Sequence, residues 1–143
     1  MEIKTPFAAN GFLYNPKKQE ILLHLRDGNT KFNPNKWSFF GGAAEEGETP
    51  EQCAAREMKE ELCIDVPVDK LIYLRDYVAK DYPETTKSKY QHSFYIESDM
   101  PKSKMKLTEG ADFDWVPLNK IFDLDLGDEI RKSLKLFVEK IKK

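Results

Sequence analysis

The sequence is poor in the residues that build disulfide frameworks and zinc sites. It holds two cysteines and two histidines among 143 residues. On one predicted helix, Cys53 and Cys63 would lie about 15 Å apart at a rise of about 1.5 Å per residue, which excludes a disulfide between them. His24 and His92 stand in separate strand-like segments without metal-ligand spacing, so we interpret both as structural.

Long apolar runs and an excess of charge of one sign are also missing. No apolar run approaches the roughly 18 residues of a membrane-spanning helix, and no segment near the start resembles a signal peptide. We therefore expect no membrane association and a cytoplasmic location. The net charge of -2 gives no reason to expect a stable nucleic-acid partner. Length and composition are typical of one globular domain over residues 1–143. We expect a monomer or a homodimer.

Short apolar segments predict a sheet flanked by helices. The segments FAANGFLYN and EILLHLR, separated by a turn signal at Asn15-Pro16, predict a hairpin. WSFF predicts one short strand that runs into Gly41-Gly42, and further strand candidates are LIYLRDYVA, HSFYIES and FDWVPL. The last segment predicts an amphipathic helix, because apolar residues recur at helical spacing at Ile130, Leu134, Phe137, Val138 and Ile141. The fold class is α+β, with a mixed β-sheet between helices.

The segment GGAAEEGETPEQCAAREMKEELCID, residues 41–65, predicts a turn and a helix rich in carboxylates. Thr49 followed three residues later by Gln52 forms a capping-box pattern, and Pro50 suits the first helical position. The helix should therefore begin at Pro50 and run to about Leu62.

One side of this helix is acidic. At about 100° per residue, Glu57, Glu60 and Glu61 gather beside an apolar stripe. Like charges at these spacings cost about 0.2 to 0.5 kcal/mol per pair, and carboxylates near a helix C-terminus oppose the helix dipole. The side is either a solvated charged face or a site where a divalent cation such as Mg²⁺ relieves the repulsion.

This segment resembles the Nudix box, G-x5-E-x7-R-E-U-x-E-E-x-G-U, in which U is a bulky aliphatic residue. Cys63 departs from the pattern, and the residues that match it in register are Gly42, Glu48, Arg56, Glu57, Met58, Glu60, Glu61 and Ile64. The resemblance implies the Nudix fold, an α/β/α sandwich. A glycine just after a helix usually takes a left-handed conformation, so we predict a positive φ at Cys63.

The resemblance also implies an activity. Nudix hydrolases use Mg²⁺ or Mn²⁺ and an attacking water to cleave a small molecule in which a nucleoside diphosphate is linked to another group. Such a substrate would be a nucleoside triphosphate or a dinucleoside polyphosphate. Glu60 and Glu61 would hold the metal together with the Gly41 carbonyl. Glu57 would be a further ligand, or would orient or deprotonate the water.

The remaining box residues are implied to be structural. Glu48 and Arg56 would form an ion pair that fixes the loop on the helix, and Gly42 would let the backbone approach metal and phosphates. A Nudix module that senses a nucleotide without cleaving it is the alternative, but the three box carboxylates are present and favour an enzyme. Isopentenyl diphosphate isomerisation is a weaker alternative.

Candidates outside the box are fewer. Glu109, in LTEGADFDWVPL, resembles a family glutamate and is a further metal ligand or water-activating base, or else a plain loop carboxylate. Arg26 resembles a phosphate-binding arginine at a strand end, or is simply solvated there. Phe39 is a candidate for stacking on a base, although most aromatic residues are core. Tyr82 is similar to a tyrosine of Nudix enzymes that act on dinucleoside polyphosphates.

Overall fold

The computed structural model describes residues 4–29, 34–79 and 89–142. Within these ranges one seven-stranded sheet is accompanied by two α-helices and three short 3-10 turns. In chain order the strands and helices are β1 (Phe7–Asn15), β2 (Glu20–Leu25), β3 (Trp37–Ser38), β4 (Phe40–Ala43), α1 (Pro50–Leu62), β5 (Ile72–Val78), β6 (Tyr90–Glu97), β7 (Asp112–Pro117) and α2 (Asp128–Ile141). None of the helices in these ranges has the length and apolar character needed to cross a bilayer.

The sheet is built around β1. The strand order is β3-β2-β1-β6-β5, while β4 pairs with the first half of β1 and β7 pairs with β2. The β1–β6 pairing is parallel and all the others are antiparallel, so the sheet is mixed as predicted. The predicted hairpin is confirmed, with Tyr14 opposite Ile21 in antiparallel register.

Both faces of the sheet are covered. Along β1, Phe12 and Tyr14 belong to a core cluster that includes Phe137 of α2. Leu13, between them, belongs to a second cluster that includes Met58 of α1. Because successive side chains of a strand point to opposite faces, α1 and α2 lie on opposite sides of the sheet. The α/β/α sandwich is therefore confirmed.

The segment WSFF forms two strands and not the single strand predicted. Trp37 and Ser38 pair with β2, whereas Phe40 begins β4 and pairs with Gly11 of β1. Phe39 lies between the two strands and packs into the core on the α2 side, with its ring centroid 4.7 Å from that of Phe12. The chain thus changes its pairing partner at the residue that enters the core.

Helix α1 begins and ends where local signals predict. Thr49 Oγ1 accepts a hydrogen bond from the Gln52 amide at 3.1 Å, and Gln52 Oε1 accepts one from the Thr49 amide at 3.0 Å. After Leu62, Cys63 takes φ 57° and ψ 41°, which confirms the predicted positive φ. Both thiols are free: Cys53 is buried and Cys63 is exposed.

Helix α2 packs as its apolar spacing predicts. Ile130, Leu134 and Phe137 are buried, and Val138 and Ile141 are partly buried against the same cluster.

We expect Cys63→Gly to leave the protein equally stable or slightly more stable. A left-handed conformation costs a residue with a Cβ about 1 kcal/mol, and the gain from relieving it is reduced by the larger backbone entropy of glycine in the unfolded chain. The melting temperature should therefore change by between zero and about +4 °C, measured by thermal unfolding. Cys63→Ala keeps the Cβ and should melt like the wild type. A glycine variant destabilised by several kcal/mol would show that the left-handed conformation is not the source of strain.

Candidate active site

The loop before α1 is fastened to the helix by one arginine. Arg56 Nε and Nη2 donate to the two carboxylate oxygens of Glu48 at 2.7 and 3.1 Å, and Nη2 also donates to the Ala43 carbonyl at 3.0 Å. These hydrogen bonds from Arg56 hold the pKa of Glu48 below its ordinary value. The predicted ion pair is present, and it joins the end of β4 to the middle of α1.

The remaining nitrogen of the same guanidinium faces the acidic side of α1. Arg56 Nη1 lies 3.0 Å from Glu57 Oε1 and 3.2 Å from Glu60 Oε2. The contact with Glu57 was not anticipated from the sequence. The positive charge of Arg56 thus already offsets part of the repulsion between the carboxylates on this side of the helix.

Glu61 is the buried member of the acidic group. Its side chain is only 4% exposed, and Oε2 accepts a hydrogen bond from the Gly41 amide at 2.9 Å. Burial, together with the charges of Glu57 and Glu109, raises the pKa of the Glu61 carboxyl to about 8. Three carboxylates therefore lie close enough to one another to repel.

Gly42 leaves room for the carboxylate of Glu57 beside β4. A Cβ added at Gly42 would lie 2.6 Å from Glu57 Oε1, so a side chain there would displace the carboxylate. Burial raises the pKa of Glu57, and the charges of Glu60 and Glu109 add to the rise. Gly41, next to it, is tied to Glu61 through its amide as described above.

The donor set fits a divalent cation. Carboxylate oxygens are the ligands that Mg²⁺ and Mn²⁺ prefer, and a cation would relieve the repulsion that surrounds Glu61. Among the described residues, no three acidic, histidine or cysteine side chains already lie close enough together to hold an ion. The reason is visible in the contacts: Arg56 attracts Glu57 and Glu60, while Glu61 is turned to an amide. An ion would have to draw these carboxylates together.

Glu109 joins the group from the segment between β6 and β7. Its charge raises the pKa of both Glu57 and Glu61, which places it near them. The Glu109 side chain is exposed, and its carboxylate has no hydrogen bond or ion pair with another residue of the described ranges. The structure thus brings Glu109 to the acidic side of α1.

Arg26 directly follows β2 and also lies near the acidic group. Its positive charge opposes the rise in the pKa of Glu61. Its amide donates to the Lys36 carbonyl at 3.0 Å, which holds this part of the backbone in place. Arg26 therefore adds a positive charge beside the carboxylates.

The aromatic candidates do not join this group. Phe39 is only 3% exposed and packs among Phe12 and other core residues, so the prediction that it stacks on a base is withdrawn. Tyr82 lies outside the described residues.

Sequence reasoning missed two residues that contact the Glu109 segment. His24 Nε2 lies 3.1 Å from the Glu109 carbonyl, and Thr108 Oγ1 donates to the Glu60 carbonyl at 2.8 Å. Burial lowers the pKa of the His24 ring, so the neutral ring donates through Nε2 to that carbonyl. The only local signal was the position of Thr108 directly before Glu109.

Comparison with known proteins gives a consistent result. The chain matches the sequence model of the NUDIX domain over residues 4–137. It is 30% identical over 122 residues to the nucleoside triphosphatase NudI of Escherichia fergusonii, covering 81% of this chain and 85% of that protein.

Solved structures share the fold. The dihydroneopterin triphosphate pyrophosphohydrolase of E. coli has a TM-score of 0.73 at 23% identity, covering 98% of this chain and 99% of that chain. The MutT protein of Methanosarcina mazei Go1 has a TM-score of 0.71 at 24% identity, covering 99% and 100%. At these identities the likeness shows the fold alone. Since the family match spans most of the chain and a relative at 30% identity covers 81% of it, the chain belongs to the Nudix family of hydrolases.

Proposed function

We propose that the chain is a Mg²⁺- or Mn²⁺-dependent pyrophosphohydrolase that cleaves a phosphoanhydride bond in a nucleoside triphosphate or a related nucleoside diphosphate derivative. The observation that carries the proposal is the buried carboxylate of Glu61. It lies beside other carboxylates, and its hydrogen bond comes from the Gly41 amide and not from a cation. A charged carboxylate in this position is unfavourable unless a proton or a cation neutralises it, and a divalent ion would do so without the proton.

Each residue of the group has a role in this reaction. A divalent ion here would neutralise phosphate oxygens and lower the pKa of an attacking water. Glu60 and Glu61 would hold the ion with the Gly41 carbonyl, and Arg26 would bind phosphate oxygens. The proton of the water would pass to a carboxylate oxygen of Glu57 or Glu109, whichever is not engaged as a ligand.

The relatives and the described residues support an order in which substrate classes should be tested. NudI is a nucleoside triphosphatase by name, which supports nucleoside triphosphates as the first class to test. Dinucleoside polyphosphates come second, because Tyr82, the residue that suggested them, lies outside the described part of the chain. A module that only senses nucleotides is disfavoured, since Glu57, Glu60 and Glu61 and the Glu48–Arg56 pair are all present.

A nucleotide panel tests the proposal. Ribo- and deoxyribonucleoside triphosphates, 8-oxo-dGTP and dinucleoside polyphosphates would be incubated with the protein in Mg²⁺, in Mn²⁺ and in EDTA, and the products separated. Cation-dependent release of phosphate or pyrophosphate from one class supports the proposal. Binding of nucleotides without turnover in either cation contradicts it and favours a sensor.

We expect Glu60→Gln and Glu61→Gln each to lower kcat by about 100-fold or more, because each removes a charged ligand of the ion. Stability should respond differently at the two positions. In EDTA, Glu61→Gln should melt at the same temperature or higher, since the amide is neutral without a proton or an ion and its oxygen can still accept the hydrogen bond from the Gly41 amide. Both quantities are measured by steady-state kinetics and thermal unfolding.

Glu51→Gln is the matched control for these variants. Glu51 lies in the first turn of α1 and is exposed, so the same chemical change at the other end of the helix should leave kcat near that of the wild type. Nearly normal turnover by both Glu60→Gln and Glu61→Gln would rule out the metal site proposed here.

Glu109→Gln should lower kcat by about 100-fold at saturating Mg²⁺ if the carboxylate serves the ion or the water. The melting temperature should hardly change, because the side chain is exposed and unpaired among the described residues. Glu139→Gln, an exposed carboxylate on α2, provides the comparison. A change in stability without a change in turnover would make Glu109 a plain loop residue.

A further inference from the structure

We propose that Thr108 and His24 are positioning residues that hold the carboxylate of Glu109 against the acidic side of α1. The proposal rests on the proposed function, in which that carboxylate acts on the ion or on the water. Neither side chain touches the reacting atoms. Both act through the backbone on either side of Glu109.

The segment before Glu109 completes the C-terminal end of α1. A helix leaves its last four carbonyls without partners inside the helix. Here Cys63 supplies the amide for Lys59, and the other three partners come from a distant part of the chain. Thr108 Oγ1 donates to Glu60 O at 2.8 Å, the Thr108 amide to Glu61 O at 3.0 Å, and the Lys106 amide to Leu62 O at 3.0 Å.

These bonds tie Glu109 to the residues that would hold the metal. The carbonyls that Thr108 contacts belong to Glu60 and Glu61, and Glu109 is the next residue in the chain. The distance from the Glu109 carboxylate to those of Glu60 and Glu61 therefore depends on the hydrogen bonds between Thr108 and α1. A loop held only at its ends would leave that separation free to vary.

A second contact holds the other side of Glu109. His24 Nε2 lies 3.1 Å from the Glu109 carbonyl, and the His24 ring is only 3% exposed. The ring is stacked on Phe40, with centroids 5.2 Å apart, so it has a fixed place in the sheet. Gly110 has φ +91° and lies so close that a Cβ there would collide with His24 Nε2. The ring thus locates the backbone directly after Glu109.

At Glu109 the backbone is held in place, while the carboxylate has no partner among the described residues. The backbone of residues 108–110 is fixed by α1 on one side and by His24 on the other. The carboxylate of Glu109 has no partner among the described residues, unlike Glu57 and Glu60, which contact Arg56. A fixed backbone with an unpaired carboxylate suits a residue that must meet a ligand from a defined direction.

Matched substitutions separate the hydrogen bonds from the packing. Thr108→Val and His24→Leu remove the donors, and each should lower kcat by about 10- to 100-fold. KM should change by less than about threefold, because the loss is one of positioning and not of substrate contacts. Thr108→Ser keeps the hydroxyl and His24→Gln keeps a nitrogen donor at a similar reach, so both should recover most of the turnover.

A double-mutant cycle distinguishes positioning from helix capping. If Thr108 acts through Glu109, then Thr108→Val should lower kcat by less than about twofold when Glu109→Gln is already present. Thr49→Val is the control, since it removes a hydroxyl from the opposite end of α1. Its effect on kcat should be the same with and without Glu109→Gln. Independent effects of Thr108→Val and Glu109→Gln would overturn the proposal and make Thr108 a helix cap only.

Binding of Mg²⁺ alone gives a readout that needs no turnover. In ¹⁵N–¹H spectra, Mg²⁺ should shift the amide signals of Glu60, Glu61 and residues 108–110 of the wild type. In Thr108→Val and His24→Leu the α1 amides should still shift and the loop amides should shift less. Equal shifts in all three proteins, with unchanged kcat, overturn the positioning role and leave the proposed function standing. No shift of the wild-type α1 amides overturns the proposed function itself, and the positioning role with it.

Discussion

The guanidinium of Arg56 is the interaction on which the rest of the site depends. It holds Glu48 with two hydrogen bonds and the Ala43 carbonyl with a third, so the loop between β4 and α1 has a fixed path. That path brings Gly41 and Gly42 against the helix, where they contact Glu61 and Glu57. Removing one partner of a largely desolvated ion pair leaves the other charge uncompensated, which is strongly destabilising. The positions of the carboxylates on the acidic side of α1 thus depend on the Arg56 guanidinium at its edge.

The apolar side of α1, which faces the sheet, stabilises the helix. Met58 and Leu62 are fully buried, and burying such side chains contributes about 1.5 to 3 kcal/mol each. Repulsion within the acidic side costs about 0.2 to 0.5 kcal/mol per exposed pair, and more where Glu61 is desolvated. The apolar contacts with Leu13 and Phe40 therefore outweigh a charge arrangement that would not form on its own. The helix is held by its core side, so its acidic side does not have to stabilise it.

The start and end of α1 could be predicted because each depends on residues that are neighbours in the sequence. The start of α1 follows from Thr49 and Gln52, and its left-handed end follows from the position of Cys63. What could not be predicted depends on contacts between distant segments. Phe39 interrupts a strand because its two neighbours pair with different strands. His24 meets Glu109 across 85 positions and Thr108 meets Glu60 across 48, and no local pattern specifies either contact. The carboxylates could be named from spacing, but the residues that hold them in place could not.

The unequal burial of the two cysteines gives the protein a built-in labelling position. Burial raises the pKa of Cys53 to about 12, so it stays a thiol at neutral pH, and the thiolate is the form that reacts with alkylating reagents. Cys63 stands in solvent directly beyond Leu62, and the sequence holds no third cysteine. A maleimide dye would therefore attach at one place in the unaltered chain. That place is two residues from Glu61 along the chain, so a dye there would report on the C-terminal end of α1 in the native sequence.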